Sequence, residues 1–147
     1  MAELVREIVI DATPETIWPF LVDPAKHVEW LGTDADIDPR PGGVYRVNVQ
    51  GIHQSAGEYT EVVPQQKVAF TFGWEEEGNP IRPGSSKIEI TLHPEGDKTL
   101  VRLVHSGLPE DAVSDHTQGW DHYLGRLATV ATGGDAGPDT PRAEASV

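Results

Sequence analysis

Cysteine is absent from this 147-residue chain. Disulfides, a thiolate nucleophile and a cysteine-ligated zinc site are thereby excluded. Basic residues are scarce: 11 Lys and Arg against 24 Asp and Glu leave a formal net charge of -13. Nucleic acid and anionic membrane surfaces both demand a Lys/Arg surplus, so neither is an expected partner. The acidic side chains are dispersed except at Glu75-Glu76-Glu77, and they read as a solubilising surface. Long apolar runs are missing as well. No stretch approaches the ~20 residues of a membrane span, and MAELVREIVI lacks the basic start and apolar run of a signal peptide. The expectation is a cytoplasmic protein without membrane insertion. The length suits one domain, able to bury ~68–70% of the unfolded chain's surface.

What is present is organised around Ser106 to Thr132, SGLPEDAVSDHTQGWDHYLGRLATVAT. Val113, Trp120, Leu124, Leu127 and Ala131 recur at three- and four-residue steps, the period of one helical face. Tyr123 and Val130 flank that stripe, while Asp115, Gln118, His122, Arg126 and Thr129 fall opposite. Gly119 and Gly125 each cost roughly 1 kcal/mol relative to Ala within a helix, which predicts a close approach there. An amphipathic helix of this kind needs a sheet to cover.

The rest of the chain supplies one. Residues 4–10 read as a strand with Arg6, Ile8 and Ile10 on one face. Thr13-Pro14-Glu15 and Asp23-Pro24 are two helix starts, each a capping side chain followed by proline at the first helical position. Pro19 keeps the first helix short. From residue 34 strands follow. Tyr45, Val47 and Val49 alternate with polar residues, Gly57 to Val63 forms another run, and Val68, Phe70, Phe72 and Trp74 give the clearest period of two. Residues 76–85 read as a long loop with Ile81 exposed. Ile88, Ile90 and Leu92 then alternate, and Leu100 to Ser106 is a last strand with Val101, Leu103 and His105 on one face. The sequence contains no internal repeat. The domain is expected over residues 1–132. Residues 133–147, GGDAGPDTPRAEASV, hold too little apolar content to pack and are expected to be a disordered tail.

This pattern is α+β: an antiparallel sheet of six to seven strands curling around a long C-terminal helix, with two short helices after strand 1. With one helix to cover so large a sheet, a partly empty gap is the natural consequence. Several stretches in order carry a resemblance: REIVIDATPETIWPFLVDPAKHVEWLG, DPRPGGVYRV, GEYTEVVPQQKVAFTFGW, TLVRLVHSGLP and HTQGWDHYLGRL. From Arg6 to about Ala131 the chain resembles the START-like superfamily, also called SRPBCC or helix-grip proteins. Within it, the chain looks like the branch named for the activator of heat-shock protein 90 ATPase. The resemblance implies a helix-grip fold around a hydrophobic cavity, in a superfamily whose members bind lipids, sterols, polyketides or other apolar molecules. Some relatives are cyclases, aromatases or hydrolases, so fold alone does not decide function. Eukaryotic chaperone activators join such a domain to a separate N-terminal domain. Here the first strand begins by residue 4, and a chaperone-activating role is not the leading expectation.

Candidate site residues follow from facing. His105 shares its strand face with Val101 and Leu103, so it is either a polar group inside the cavity or a histidine satisfied by neighbours. Trp30, Trp74 and Trp120 lie on separate elements expected to converge on the gap; Trp74 and Trp120 read first as core, Trp30 as half-exposed at the mouth. Tyr45, Tyr59, Phe70 and Phe72 can face the cavity too, subject to any β-bulge that shifts parity. His116 stands four residues before Trp120, and Leu124 four after it, at the edge and centre of the buried stripe. His27, His53 and His93 fall in a helix, a loop and a strand end. No three histidines share ligand spacing, and no cofactor and no metal are expected. The serines lack a nucleophile-elbow sequence, and no phosphate loop is present.

Three functions compete. The first is binding of a small hydrophobic or aromatic ligand in the cavity between sheet and C-terminal helix. The second is a protein-interaction module with a chaperone or homodimer partner. The third is a cyclase-, aromatase- or hydrolase-type enzyme with His105 or His116 as acid–base in the same cavity.

Overall fold

The computed structural model describes residues 2–51 and 53–137. Seven strands form one antiparallel sheet: β1 (Ala2–Ile10), β2 (Asp34–Ile37), β3 (Val44–Val49), β4 (His53–Val63), β5 (Lys67–Trp74), β6 (Ser86–Glu95) and β7 (Lys98–Leu108). Their order is β1-β7-β6-β5-β4-β3-β2. Strands β2 to β7 are sequential neighbours, because short turns can join only antiparallel partners. The chain closes the far edge by setting β1 beside β7. Helices α1 (Pro14–Val22) and α2 (Pro24–His27) follow β1, and α3 (Val113–Ala131) follows a single 3-10 turn at Glu110–Ala112. This is the helix-grip architecture.

Local chemistry accounts for the helix ends. The Thr13 hydroxyl accepts a hydrogen bond from the Thr16 amide, at 3.4 Å, ahead of Pro14. The Asp23 carboxylate accepts from the Ala25 amide at 3.0 Å, and Pro24 opens α2. The expected start of the long helix is corrected. Ser106, Gly107 and Leu108 belong to β7, where buried Leu108 pairs with Ala2. Pro109 has no amide hydrogen to continue the ladder, and the α-helix begins only at Val113.

The two halves of the sheet are filled differently. Over β6, β7 and β1 the concave face is a closed core of Ile88, Ile90, Val101, Leu103, Leu4 and Ile10, in one cluster with Leu124, Leu127 and Ala131 of α3. Arg6 of β1 grips Asp121 of α3 through two hydrogen bonds, at 2.7 and 2.8 Å. Over β3 to β5 the inward side chains are mostly aromatic and meet the N-terminal half of α3. A cavity lies there.

Three further expectations are corrected. Ile81 is buried, at 3% exposure, because the loop after β5 folds back: its carbonyl accepts from the Trp74 amide at 2.8 Å. Gly73 permits this, since a Cβ there would stand 1.9 Å from the Arg82 carbonyl oxygen. His53 is not in a loop but opens β4, opposite Val49. Gly119 and Gly125 are not sites of close approach, since a Cβ at either would meet nothing within 4 Å.

Arg126, on the polar side of α3, is half-buried rather than free. Its guanidinium donates to the carbonyls of Trp30 at 3.0 Å, Glu29 at 3.3 Å, Ala136 at 3.0 Å and Gly137 at 2.9 Å. Residues 133–137 of the expected tail thus lie against the helix. Residues 138–147 of that tail lie outside the described residues.

Candidate functional site

Strand pairing builds the site. The register Val47↔Ser55 and Ser55↔Trp74 lines up inward residues across β3, β4 and β5. Above them α3 presents His116, Gly119, Trp120 and Tyr123, whose three- and four-residue steps make one face. Between these surfaces lies a cavity of about 400 Å³. Tyr45, Phe72, Trp74, Trp120 and Tyr123 wall it; His53, Glu76, Asn79 and Asp115 are among its polar members, with Gln50, Ser55 and His116. Gly119 also faces it, and its missing Cβ widens the space.

The polar groups of the walls are engaged with one another. The Trp74 indole N–H donates to His116 Nε2 at 3.4 Å, and His116 Nδ1 meets the Ala112 carbonyl at 2.9 Å. A carbonyl can only accept, so His116 carries its proton on Nδ1. The Trp120 indole donates to His105 Nδ1 at 3.1 Å. His105 therefore donates from Nε2 to the Ser86 hydroxyl, at 3.0 Å, and Ser86 donates on to the Phe72 carbonyl at 2.8 Å. His105 is wholly buried, and burial, helped by the nearby His116, lowers its pKa to about 3. It is a neutral link in a closed chain of hydrogen bonds.

A second buried chain holds Tyr45 in place. Pro24 has no N–H, so the Phe20 carbonyl lacks its helical partner four residues on. His27 Nδ1 and the Trp30 indole both donate to that oxygen instead, at 2.9 and 2.7 Å. His27 Nε2 is then left to accept from the Tyr45 hydroxyl, at 2.9 Å. Burial lowers the His27 pKa to about 4, the bond to Phe20 opposing it. The Tyr45 ring stacks on Phe70 with centroids 3.9 Å apart, and burial pushes its phenol well up.

Of the expected site residues, Tyr45, Phe72, Trp74, His116 and Trp120 lie on the cavity wall. His105 lies behind it, its ring 5.3 Å from Phe72 and 5.4 Å from His116. Trp30 is not half-exposed at the mouth: it is fully buried and bonded to Phe20. Tyr59 and Leu124 are core residues away from the wall; Tyr59 sits against Tyr45 and Phe70, with its buried hydroxyl unpartnered among the described residues. A register shift in β4 between Tyr59 and Glu61 separates it from the cavity stretch.

Other wall residues escaped the sequence. Tyr123 and Asp115 share a helical face with Gly119, at steps of four; Asp115, expected on the face opposite the apolar stripe, lines the cavity instead. His53 and Glu76 had none. They meet across β4 and the loop after β5, His53 Nδ1 to Glu76 Oε1 at 2.6 Å. Glu75, beside it, grips Arg46 through two hydrogen bonds, at 2.8 and 2.9 Å, which hold its carboxyl below the usual range. The acidic run is thus partly structural. Among the described residues no group of three or more His, Cys, Asp or Glu could hold a metal ion, and no helix is long and apolar enough to cross a membrane.

The sequence profile for Activator of Hsp90 ATPase homolog 1-like protein matches residues 11–132. The chain is similar to the AHSA1-like protein from Rhizobium etli, at 45% identity and a TM-score of 0.75, covering 94% of this chain and 86% of that one. CalU16 from Micromonospora echinospora is similar at 24% identity and a TM-score of 0.72, over 89% of this chain and 76% of that one. The Aha1 dimer from Colwellia psychrerythraea is similar at 21% identity and a TM-score of 0.78, over 91% and 98%. At these last two identities the likeness speaks for the fold alone. No curated protein matches the sequence. The profile match spans both short helices, strands β2 to β7 and all of α3, and the chain belongs to the Activator of Hsp90 ATPase homolog 1-like family, a branch of the START-like helix-grip superfamily.

Proposed function

We propose that this protein binds a small hydrophobic or aromatic molecule in the cavity between β3–β5 and α3. The observation behind this reading is one cavity of about 400 Å³ walled by five aromatic side chains. That volume falls within the ~300–1,000 Å³ of small-molecule sites, which pair apolar walls with a few placed polar groups. Binding is favoured over turnover because His105 lies off the wall with both nitrogens engaged, and both nitrogens of His116 are engaged too.

Titration with sterols, fatty acids and aromatic polyketides tests the reading, followed by tryptophan emission and thermal unfolding. Trp74 and Trp120 sit on the wall, so a ligand changes their emission saturably and raises the melting temperature. Absence of any stabilisation across the panel would overturn it.

A protein-contact function is the second reading, and it stands apart from the cavity. Val5 and Val9 are 39% and 52% exposed on edge strand β1, and two exposed aliphatics in one strand are a small contact patch. Its test is the ATPase rate of the heat-shock chaperone with and without this protein. A rate increase abolished by Val9→Lys supports contact; an unchanged rate removes it.

A further inference from the structure

The charge of the cavity narrows the ligand class. Its lining contains two carboxylates, Glu76 and Asp115, and neither a lysine nor an arginine. The cations nearest in sequence are committed elsewhere. Arg46 is locked to Glu75, and Arg82 donates to the Glu76 main-chain carbonyl. His53 is hydrogen-bonded to the Glu76 carboxylate, and His116 already gives its proton to Ala112. The N-terminus of a helix is a positive end for an anion, but in α3 Asp115 occupies the first turn, after Glu110 and Asp111 in the 3-10 turn.

An anionic ligand entering here meets two carboxylates with no cation to receive it, in a molecule of net charge -13. A cationic ligand meets the reverse. Its ammonium finds carboxylates at Glu76 and Asp115, and the aromatic faces of Trp74, Trp120 and Tyr45 attract positive charge as well as apolar surface. Exposure places the two kinds of group at different depths. Tyr45 and Phe72 are buried, whereas Asp115 is exposed and the Glu76 carboxylate is 38% exposed. A molecule with an aromatic body and an amine at one end matches that order.

We propose that the ligand is an amine-bearing aromatic molecule, its ring between sheet and helix and its ammonium between Asp115 and Glu76. This rests on the cavity being a ligand site, and the experiment separates the two claims. Three probes share one ring system and differ in one group: 2-naphthylethylamine, 2-naphthylethanol and 2-naphthylacetic acid. Their affinities are measured by calorimetry near neutral pH and low salt, on the full chain and on two double variants. Asp115→Asn with Glu76→Gln removes the cavity charges, and keeps a hydrogen-bond acceptor for His53. Glu95→Gln with Asp97→Asn removes two charges from the remote turn between β6 and β7.

The expected order is amine, then alcohol, then acid, with the amine ahead of the alcohol by roughly tenfold. That ratio collapses in the cavity variant and persists in the remote one. An amine no better than the alcohol, or an acid that binds as well as the amine, overturns the proposal while leaving the cavity as a ligand site. An equal loss of the ratio in both variants assigns the preference to net charge and likewise overturns it. If none of the three probes binds, the ligand-site reading itself fails and this inference with it.

Discussion

Protonating His105 would set a new N–H on Nδ1 against the Trp120 indole N–H, since that nitrogen now accepts. Burial adds a desolvation cost to the cation, and His105 keeps a pKa of about 3, against about 4 for His27. In the unfolded chain both return to ~6.5. The unfolded state therefore binds more protons below ~6.5, and acid favours it. The stability these residues confer is complete above that pH. It drains away between ~6.5 and about 4 for His27, and on to about 3 for His105. Within that window each histidine steepens the loss by roughly 1.4 kcal/mol per pH unit. Denaturant unfolding should show a midpoint that falls as pH drops from about 7 to about 5. His105→Gln, neutral with one acceptor and one donor, should flatten that slope by one histidine's share. An unchanged slope would mean the acid sensitivity lies elsewhere. Strand parity was enough to set His105 inward. It was not enough to tell the cavity wall from the layer behind it, because Phe72 and Trp120 interpose from other elements.

At the scale of the element, α3 carries two glycines with the same local cost and different surroundings. Gly119 faces the cavity and Gly125 is exposed, and neither position crowds a Cβ. Replacing either by alanine should raise stability by about 1 kcal/mol through helix propensity. Only Gly119→Ala puts a methyl into the cavity. It should therefore raise the melting temperature while weakening the ligand, whereas Gly125→Ala raises it and leaves affinity alone. Paired thermal melts and ligand titrations read both effects. Equal affinity in the two variants would remove this wall from the site. The helical stripe through Trp120, Leu124, Leu127 and Ala131 was legible because period and burial coincide there. Where the helix begins was not, because a 3-10 turn and an extension of β7 compete for Ser106 to Ala112.

For the whole molecule, Arg126 joins pieces that sequence holds far apart. One guanidinium donates to carbonyls of the segment after α2, at Glu29 and Trp30, and of the segment after α3, at Ala136 and Gly137. Arg126→Leu keeps the aliphatic stem and deletes every one of these bonds. Equilibrium unfolding should register a loss of ~2 kcal/mol, the scale of bonds to a charged donor. Limited proteolysis should cut faster after residue 132. Unchanged stability with unchanged cleavage would show the four bonds to be dispensable.

What the sequence determined by itself was whatever depends on neighbours in the chain. The Thr13 and Asp23 caps, the alternation in β5 to β7, the face of α3 and the order of the elements along the chain all follow from local spacing. Tertiary structure alone decided which inward residues fill a core and which line a void. It brought His53 to Glu76 through the β4–β5 register and buried Ile81 beneath a folded loop. It turned His27, a helical histidine with no role assigned from sequence, into the support of Tyr45. The reason is physical: spacing fixes the direction of a side chain, whereas a cavity is defined by what fails to arrive from the opposite side. Here the opposite side is the N-terminal half of α3, held over β3 to β5 at Gly119, where nothing fills the space.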